Sequence, residues 1–121
     1  FLPPITRYLD KDGQATYLHN LGAVSSEMNE IEQAVVYYST ALSIRREIQN
    51  YVGIKDTLYN LALIWGGIGD YEQSVQLLEE AIKLDGQFNY PTLDRDLIAL
   101  GEYKSLLEKQ IEKSKTQAID D

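Results

Sequence analysis

The chain repeats itself: the segment 13–52 matches the segment 53–91 when the sequence is shifted by forty positions. The matching residues are spread over the whole period: Gly13 with Gly53, Leu18 with Leu58, Asn20-Leu21 with Asn60-Leu61, Glu32-Gln33 with Glu72-Gln73, Val35 with Val75, Ala41 with Ala81, Leu42 with Ile82 and Ile44 with Leu84. A period of roughly 20–50 residues is typical of solenoids and arrays. Because a solenoid presents an extended surface, the repeat favours recognition over catalysis in a buried pocket.

The composition indicates one soluble globular domain. The chain has 121 residues, of which 44% are hydrophobic and 25% charged. It contains no cysteine, which excludes disulfides, thiolate metal sites and a cysteine nucleophile. The absence of cysteine fits a reducing compartment, so we expect a cytoplasmic protein.

The charge balance argues against two classes of partner. The net charge is −8 and the pI is near 4.6. Nucleic acid is excluded as a partner because affinity for a polyphosphate depends on lysine and arginine replacing counterions. A membrane is excluded because no run approaches the roughly 18 apolar residues of a span. Because the first residue is not Met, we expect a processed or excised piece of a longer chain.

The apolar residues of the first copy predict two helices. Ala15, Leu18, Leu21 and Val24 are spaced by three and four, which predicts a helix from Gln14 to Met28. The second stripe runs over Ile31, Ala34, Val35, Tyr38, Ala41, Leu42, Arg45 and Ile48.

Local signals predict the ends of these helices. Asp12-Gly13 is expected to form a turn after a short helical segment over 5–10. Asn29 and Glu32 are spaced as a capping box, and the segment 50–53 is expected to end the second helix.

The second copy predicts another helix pair. One stripe contains Leu58, Leu61, Ala62, Ile64 and Trp65, and the other contains Tyr71, Ser74, Val75, Leu78, Ala81 and Ile82. Glycines at 66, 67 and 69 are expected to end the first helix, with Asp70 capping the second through position 73. Gly86 is expected to be its left-handed C-cap.

The remaining segment predicts a helix that covers the last repeat. Apolar residues still recur at helical spacing, but the forty-residue register fails because Leu61 would align with Gly101. The predicted organisation is a single domain with a remnant of an upstream repeat or a linker at 1–12, repeats at 13–52 and 53–91, a capping helix at 92–115 and a frayed tail at 116–121. Gly101 either kinks the capping helix or divides it in two.

The two copies resemble the tetratricopeptide repeat, whose pattern is Trp-x2-Leu-Gly-x2-Tyr, then Ala-x3-Phe, then Ala and Pro. The first copy has Leu18-x2-Leu21-Gly22-x2-Ser25, Ala34-x3-Tyr38 and Ala41, and the second has Leu58-x2-Leu61-Ala62-x2-Trp65, Ser74-x3-Leu78 and Ala81. Both copies lack the closing proline, and the period is longer than that of the common repeat. Longer repeats with an Asn-Leu-Gly or Asn-Leu-Ala core resemble the kinesin-light-chain and Pins-like class.

The resemblance implies an all-α fold, a tetratricopeptide-type α-solenoid of antiparallel helix pairs with a C-terminal capping helix. It also implies that the first helix of each repeat lines a concave groove, where Asn20 and Asn60 hold the backbone of a bound extended peptide. A carboxamide suits this role because it offers both a donor and an acceptor. The alternative is that each Asn bonds a neighbouring helix or water. The expected groove residues are Thr16, His19, Asn20, Ala23, Asp56, Tyr59, Asn60 and Leu63.

Catalytic, metal and cofactor sites are not expected. His19 is the single histidine, so no histidine pair can hold a metal; it is a groove or surface residue, or alternatively a pH sensor. The glycines at 66–69 lack the Lys and Ser/Thr of a phosphate-binding loop. Arg45-Arg46 is the one basic doublet, and a surface role is expected for it. Trp65 is expected in the core, with ligand stacking as the alternative.

The predicted function is a non-catalytic protein-interaction scaffold that binds a peptide segment in its groove. The alternative is a structural or sensor segment of a larger multidomain signalling protein. Two repeats lie below the roughly three that stability usually requires. We therefore expect the N-terminal end, with Ile5 and Tyr8, to pack against an upstream repeat or against a second copy.

Overall fold

The computed structural model describes residues 4–120, which form five α-helices. Within these residues there is no strand, and 89% are helical. Each helix packs against the next in the chain, and the connections are short enough to make neighbours antiparallel. The predicted all-α solenoid of antiparallel helix pairs is confirmed. The helices are α1 (Pro4–Glu27), α2 (Ile31–Glu47), α3 (Tyr51–Gly67), α4 (Tyr71–Phe88) and α5 (Leu93–Asp120).

The turns show that each repeat consists of two equal halves. A left-handed residue follows each of the first four helices at a spacing of twenty: Asn29 (φ 60°), Gln49 (φ 56°), Gly69 (φ 89°) and Asn89 (φ 56°). The first three turns share one hydrogen-bond pattern, in which Glu30 donates to the carbonyl of Ser25 and Asn29 to that of Ser26, with equivalent bonds twenty and forty residues later. This is the Schellman arrangement. The forty-residue period is therefore twice a twenty-residue unit of helix and turn.

Helix caps agree with the sequence at some positions and differ at others. Asp70 caps α4 by accepting from the backbone N–H of Gln73 at 3.1 Å, as predicted. The prediction of a capping box at Asn29 and Glu32 is wrong. Asn29 is the left-handed residue of the turn, and Glu30 is the N-cap and makes no side-chain cap bond. Asn50 begins α3 rather than ending α2, since its side chain accepts from Gly53. Gly86 is not the C-cap of α4, which extends to Phe88 and is followed by left-handed Asn89.

The first helix is longer than predicted. The expected turn at Asp12-Gly13 is wrong, because α1 is continuous from Pro4 to Glu27; residues 1–3 lie outside the described part of the chain. A glycine costs only about 1 kcal/mol in a helix interior. Local contacts tie this segment down: the Asn50 side chain donates to Asp12 at 3.1 Å, and Lys11 forms an ion pair with Glu47.

Small residues allow the helices to approach closely. Ala34, Ala41, Ala62, Ser74 and Ala81 are all completely buried, as the repeat pattern predicts. A Cβ at Gly22 would lie 2.9 Å from the ring of Tyr38, so only glycine leaves room for this ring between α1 and α2. Trp65 packs against the core cluster around Leu58 and Leu61, which agrees with its predicted position in the core.

The last helix is a single element. Gly101 does not divide α5, and the helix continues through the segment 116–120, where a frayed tail is predicted; Asp121 lies outside the described residues. α5 is attached by Ala99, by Tyr103 packed on Gly66, and by a 3.0 Å hydrogen bond from Gln110 to the carbonyl of Gly69.

Both ends of the array expose apolar side chains. Ile5 is 64% exposed in α1, and Ile98 is 65% exposed in α5. Exposed apolar side chains are therefore not confined to the N-terminal end, where packing against an upstream repeat or a second copy is expected. No helix within residues 4–120 is both long enough and apolar enough to cross a membrane.

Candidate functional site

The predicted groove residues lie on the two helices that begin the repeats. Their exposure differs, which separates surface groups from those held by neighbours. Thr16, Asn20 and Leu63 are exposed, whereas His19, Ala23, Asp56, Tyr59 and Asn60 are half-buried. Direct side-chain contact between the two helices centres on His19, so the face formed by α1 and α3 is built around this residue.

The two asparagines have different surroundings. Asn20 is exposed and makes no side-chain hydrogen bond within residues 4–120. The carboxamide nitrogen of Asn60 lies 3.3 Å from Nε2 of His19 on the preceding repeat. Asn60 thus bonds a neighbouring helix, which was the alternative for both asparagines, while part of its carboxamide remains at the surface.

His19 is the centre of a polar cluster that we call the first seam: His19, Arg45, Gly53 and Thr57. Nδ1 of His19 lies 3.1 Å from a guanidinium nitrogen of Arg45 and 3.2 Å from Oγ1 of Thr57. The ring also packs edge-on against Tyr38. Because a guanidinium can only donate, its bond requires an unprotonated Nδ1, and the ring proton is then on Nε2. Nε2–H donates in turn to Asn60 when the carboxamide presents its oxygen.

The first seam keeps His19 neutral at physiological pH. Burial lowers the pKa of His19 below its ordinary value of 6.5, and the charge of Arg45 lowers it further, while Asp56 opposes them. Protonation would place a second cation against the guanidinium. His19 therefore acts in this face as a neutral hydrogen-bonding group.

Arg45 is buried, contrary to the surface position predicted from the sequence. A surface role was expected, but it is only 8% exposed, and it donates to Thr57 at 2.8 Å and to the carbonyl of Gly53 at 3.2 Å. No carboxylate among residues 4–120 forms an ion pair with it. Its neighbour Arg46 is at the surface and pairs with Glu80. The available signal was the position of Arg45 in the apolar stripe of its helix.

Gly53 explains how the arginine fits. A Cβ at this position would lie 2.7 Å from both Cδ and Nε of Arg45. The glycine therefore lets the long side chain cross α3 and reach His19. Gly13, the equivalent residue of the first copy, has no such role, because a Cβ there would meet no atom within 4 Å.

A second polar cluster lies one repeat further along, between α3, α4 and α5. This second seam consists of Lys55, Asp85, Thr92, Arg95 and Asp96. Asp85 and Asp96 are completely buried. Thr92 donates to Asp85 at 2.8 Å, and Lys55 donates to Thr92 at 3.0 Å. Arg95 pairs with Asp96 at 2.8 Å and lies over the ring of Tyr59 at 3.7 Å.

Asp96 of the second seam holds a proton more readily than an ordinary carboxyl group. Burial is the largest cause, and interaction with the neighbouring Asp85 side chain adds to it; together they raise the pKa of Asp96 to about 6 against the opposing effect of Arg95. Asp85 and Asp96 each have a buried Oδ2 atom without a hydrogen-bond partner among the described residues.

The described residues offer no metal site. Within residues 4–120 no group of three or more His, Asp or Glu side chains is placed to hold an ion. The two carboxyl groups of the second seam already face Lys55 and Arg95. Both clusters are therefore structural and electrostatic elements beside the face formed by α1 and α3.

Comparison with known proteins agrees with this architecture. A family model described as tetratricopeptide repeat matches residues 13–87, which is more than half of the chain and covers both helix pairs. A search of the curated proteins found no match.

Proposed function

The chain belongs to the tetratricopeptide repeat family, and we propose that it is a non-catalytic scaffold which binds a peptide segment in a groove between α1 and α3. Tetratricopeptide repeats generally mediate protein–protein interactions. The finer resemblance to the kinesin-light-chain and Pins-like class stays a prediction, as does a cytoplasmic location.

The observation that carries the proposal is the bridge between repeats at His19 and Asn60. This bridge restrains the Asn60 side chain before any ligand arrives. A preorganised group binds at a lower entropic cost than a mobile one. Asn60 then offers its remaining hydrogen-bonding capacity to a peptide unit, and Asn20 offers a full carboxamide at the equivalent position one repeat earlier.

The rest of the face suits a peptide rather than a small molecule. Thr16 is exposed on α1 and Leu63 on α3, and the half-buried Tyr59 ring of α3 lies against Arg95 of α5. Such a mixture of polar and apolar groups along two parallel helices can follow an extended or helical segment. With a net charge of −8, the chain favours a neutral or basic ligand.

A second candidate function is supported by the ends of the array. Exposed Ile5 and Leu9 at one end and Leu97 and Ile98 at the other are suited to contact further protein surface. We propose as the alternative a structural or sensor segment of a multidomain signalling protein, with self-association through the N-terminal end. Mass measurement over a range of protein concentrations tests the self-association, with Ile5→Ser as the comparison variant.

The test of the groove is peptide selection on immobilised protein. A random peptide library is expected to yield an enriched set on the wild type that is lost on the double variant Asn20→Ala, Asn60→Ala. Gln76→Ala is the matched control, because Gln76 is exposed on α4 and away from the proposed groove. Failure to enrich any set on the wild type, or the same set on the double variant, would contradict the proposed function.

A further inference from the structure

A cavity of about 290 Å³ opens between α1, α2 and α3 beside the turn that joins the first two helices. Its polar wall contains Ser26, Tyr38 and Asn60, and its apolar wall contains Ile31 and Leu63. Gly67, at the end of α3, forms part of the rim. Asn60 therefore faces both the bridge to His19 and this cavity.

The size of the cavity limits what it can hold. It lies just below the roughly 300–1,000 Å³ that sites for small molecules usually provide. Because a cavity of about 150 Å³ already holds a benzene molecule, this one has room for an aliphatic side chain together with part of the adjoining peptide. The apolar wall is accessible, since Leu63 is 39% exposed, so an aliphatic side chain entering from the groove would cover it.

Acidic residues accompany the residues that line the cavity. The lining residues fall within 26–38 and 60–68, and these two stretches contain Glu27, Glu30 and Glu32 but no lysine or arginine. One of these acids acts directly on the cavity wall: burial raises the pKa of Tyr38, and the charge of Glu27 raises it further.

We infer that this cavity is an anchor pocket for one aliphatic side chain of a bound peptide, with lysine or arginine next to that side chain in the peptide. The inference rests on the proposed function and adds the class of ligand. Ile31 and Leu63 bury the aliphatic group, Asn60 holds the adjacent peptide unit, and the surrounding acids attract the basic flanks.

The chain offers a substitution that fills the pocket and leaves the fold intact. A Cβ at Gly67 meets no atom within 4 Å, and the backbone there is not left-handed. Gly67→Leu therefore adds a side chain at the rim of the cavity without strain. Gly86→Leu is the matched control, because Gly86 is helical with the same open surroundings and does not line the cavity.

The experiment uses four synthetic peptides of nine residues with alanine at the outer positions. The centre is leucine or serine, and the three residues on each side are lysine or glutamate. Binding to the chain is followed by NMR, through the amide signals of Ser26, Leu63 and Gly67 and through the dissociation constants. The leucine peptide with lysine flanks is expected to bind at least tenfold more tightly than each of the other three. Gly67→Leu is expected to remove that advantage, and Gly86→Leu to keep it.

The outcomes separate the pocket from the groove. Equal affinities for leucine and serine, equal affinities for lysine and glutamate flanks, or unchanged binding to Gly67→Leu would each overturn the pocket. The groove would still stand if the double variant Asn20→Ala, Asn60→Ala then lost binding. If none of the four peptides bound and the library selection also found none, both the pocket and the proposed function would fail.

Discussion

The two seams have one position of the repeat in common, and that position holds opposite charges. A shift of forty positions brings Arg45 onto Asp85, and both are buried near the C-terminal end of the second helix of a repeat. The same shift brings Lys55-Asp56 onto Arg95-Asp96 at the start of the helix that follows. One backbone site thus accepts a guanidinium in one copy and a carboxylate in the next.

The difference shows that the surroundings, rather than the motif, decide which charge the site tolerates. Arg45 is satisfied by the neutral acceptors Thr57 and the Gly53 carbonyl, with acidic Asp12 and Asp56 nearby. Asp85 accepts a hydrogen bond from Thr92 and lies beside Asp96, whose pKa is raised to about 6. The two repeats therefore have the same backbone arrangement, while the charges buried between their helices differ.

The largest expected effect comes from reversing the charge at a seam. Arg45→Asp places a carboxylate near Asp12 and Asp56 without a cationic partner. Asp85→Arg replaces the acceptor of the Thr92 hydroxyl with a cation, and Lys55 donates to that same hydroxyl. We expect each variant to lose on the order of 3–5 kcal/mol in the free energy of unfolding, as unpaired buried charges do. Urea denaturation at pH 7 is the measurement.

Neutral variants provide the controls for the charge reversal. Arg45→Met removes the charge and keeps most of the length, and we expect it to cost about 1–2 kcal/mol through the acceptors left unpaired. Asp85→Asn is expected to cost less than Asp85→Arg by a wide margin. If Arg45→Asp were no less stable than Arg45→Met, the seam would not discriminate charge.

A smaller effect is expected at two glycines of α3, Gly53 in the first seam and Gly66 near the end of the helix. At Gly66 a Cβ would lie 2.2 Å from the Tyr103 ring, whereas at Gly53 it would meet the flexible chain of Arg45 at 2.7 Å. Gly66→Ala is therefore expected to cost about 1–3 kcal/mol through overpacking. Gly53→Ala should cost less, because Arg45 can shift and alanine gains about 1 kcal/mol of helix propensity.

A double variant isolates the contact at Gly66. In the Tyr103→Leu background the clashing ring atoms are absent, so Gly66→Ala should cost little there or even stabilise the chain. Thermal unfolding of the four members of this cycle measures the coupling. An unchanged cost of Gly66→Ala after Tyr103→Leu would mean that the tyrosine is not what requires the glycine.

The smallest effects are opposite slopes of stability against pH. The pKa of His19 is lower in the folded than in the unfolded chain, so the unfolded state binds more protons below about pH 6.5, and the first seam gains stability as pH rises to that value. The pKa of Asp96 is raised to about 6 from 3.8, so the folded state binds more protons between these values. The second seam therefore loses stability as pH rises from about 4 to 6 and does not recover it above pH 6.

Single variants separate the two slopes. His19→Gln should leave a chain whose urea midpoint falls as pH rises from 4 to 6, because the raised pKa of Asp96 then acts without the opposing effect of His19. Asp96→Asn should leave a chain whose midpoint rises toward pH 6.5. Identical pH profiles of the two variants would contradict the assignment of opposite protonation to the seams.

The sequence predicted the elements whose signals are local or repeated. The four helices of the two repeats, the turn at Gly69 and the cap at Asp70 follow from apolar spacing and turn chemistry. Gly13 and Gly86 were misjudged because a glycine in a helix has a small cost that tertiary contacts can offset. Asn29 was misjudged because asparagine suits both an N-cap and a left-handed turn, and the backbone selected the latter.

The buried charges were not predictable from composition alone. A charged residue such as Arg45 or Asp85 usually lies at the surface, and its burial depends on partners from two other helices. The forty-residue shift aligns Lys55-Asp56 with Arg95-Asp96 and so relates the start of α3 to the start of α5. The mismatch of Leu61 with Gly101 placed the end of the repeat before this point. The eight groove residues stay a prediction, although the contact between His19 and Asn60 joins two of them directly.

The most direct test of the central claim is a titration of one library-selected peptide against wild type and the double variant Asn20→Ala, Asn60→Ala. Each lost hydrogen bond is worth about 0.5–1.5 kcal/mol, so the dissociation constant should rise roughly ten- to a hundredfold if the effects add. The free energy of unfolding, measured in parallel, should change less than the binding free energy. Equal affinities, or a double variant that unfolds, would show that these asparagines serve the scaffold and not the ligand.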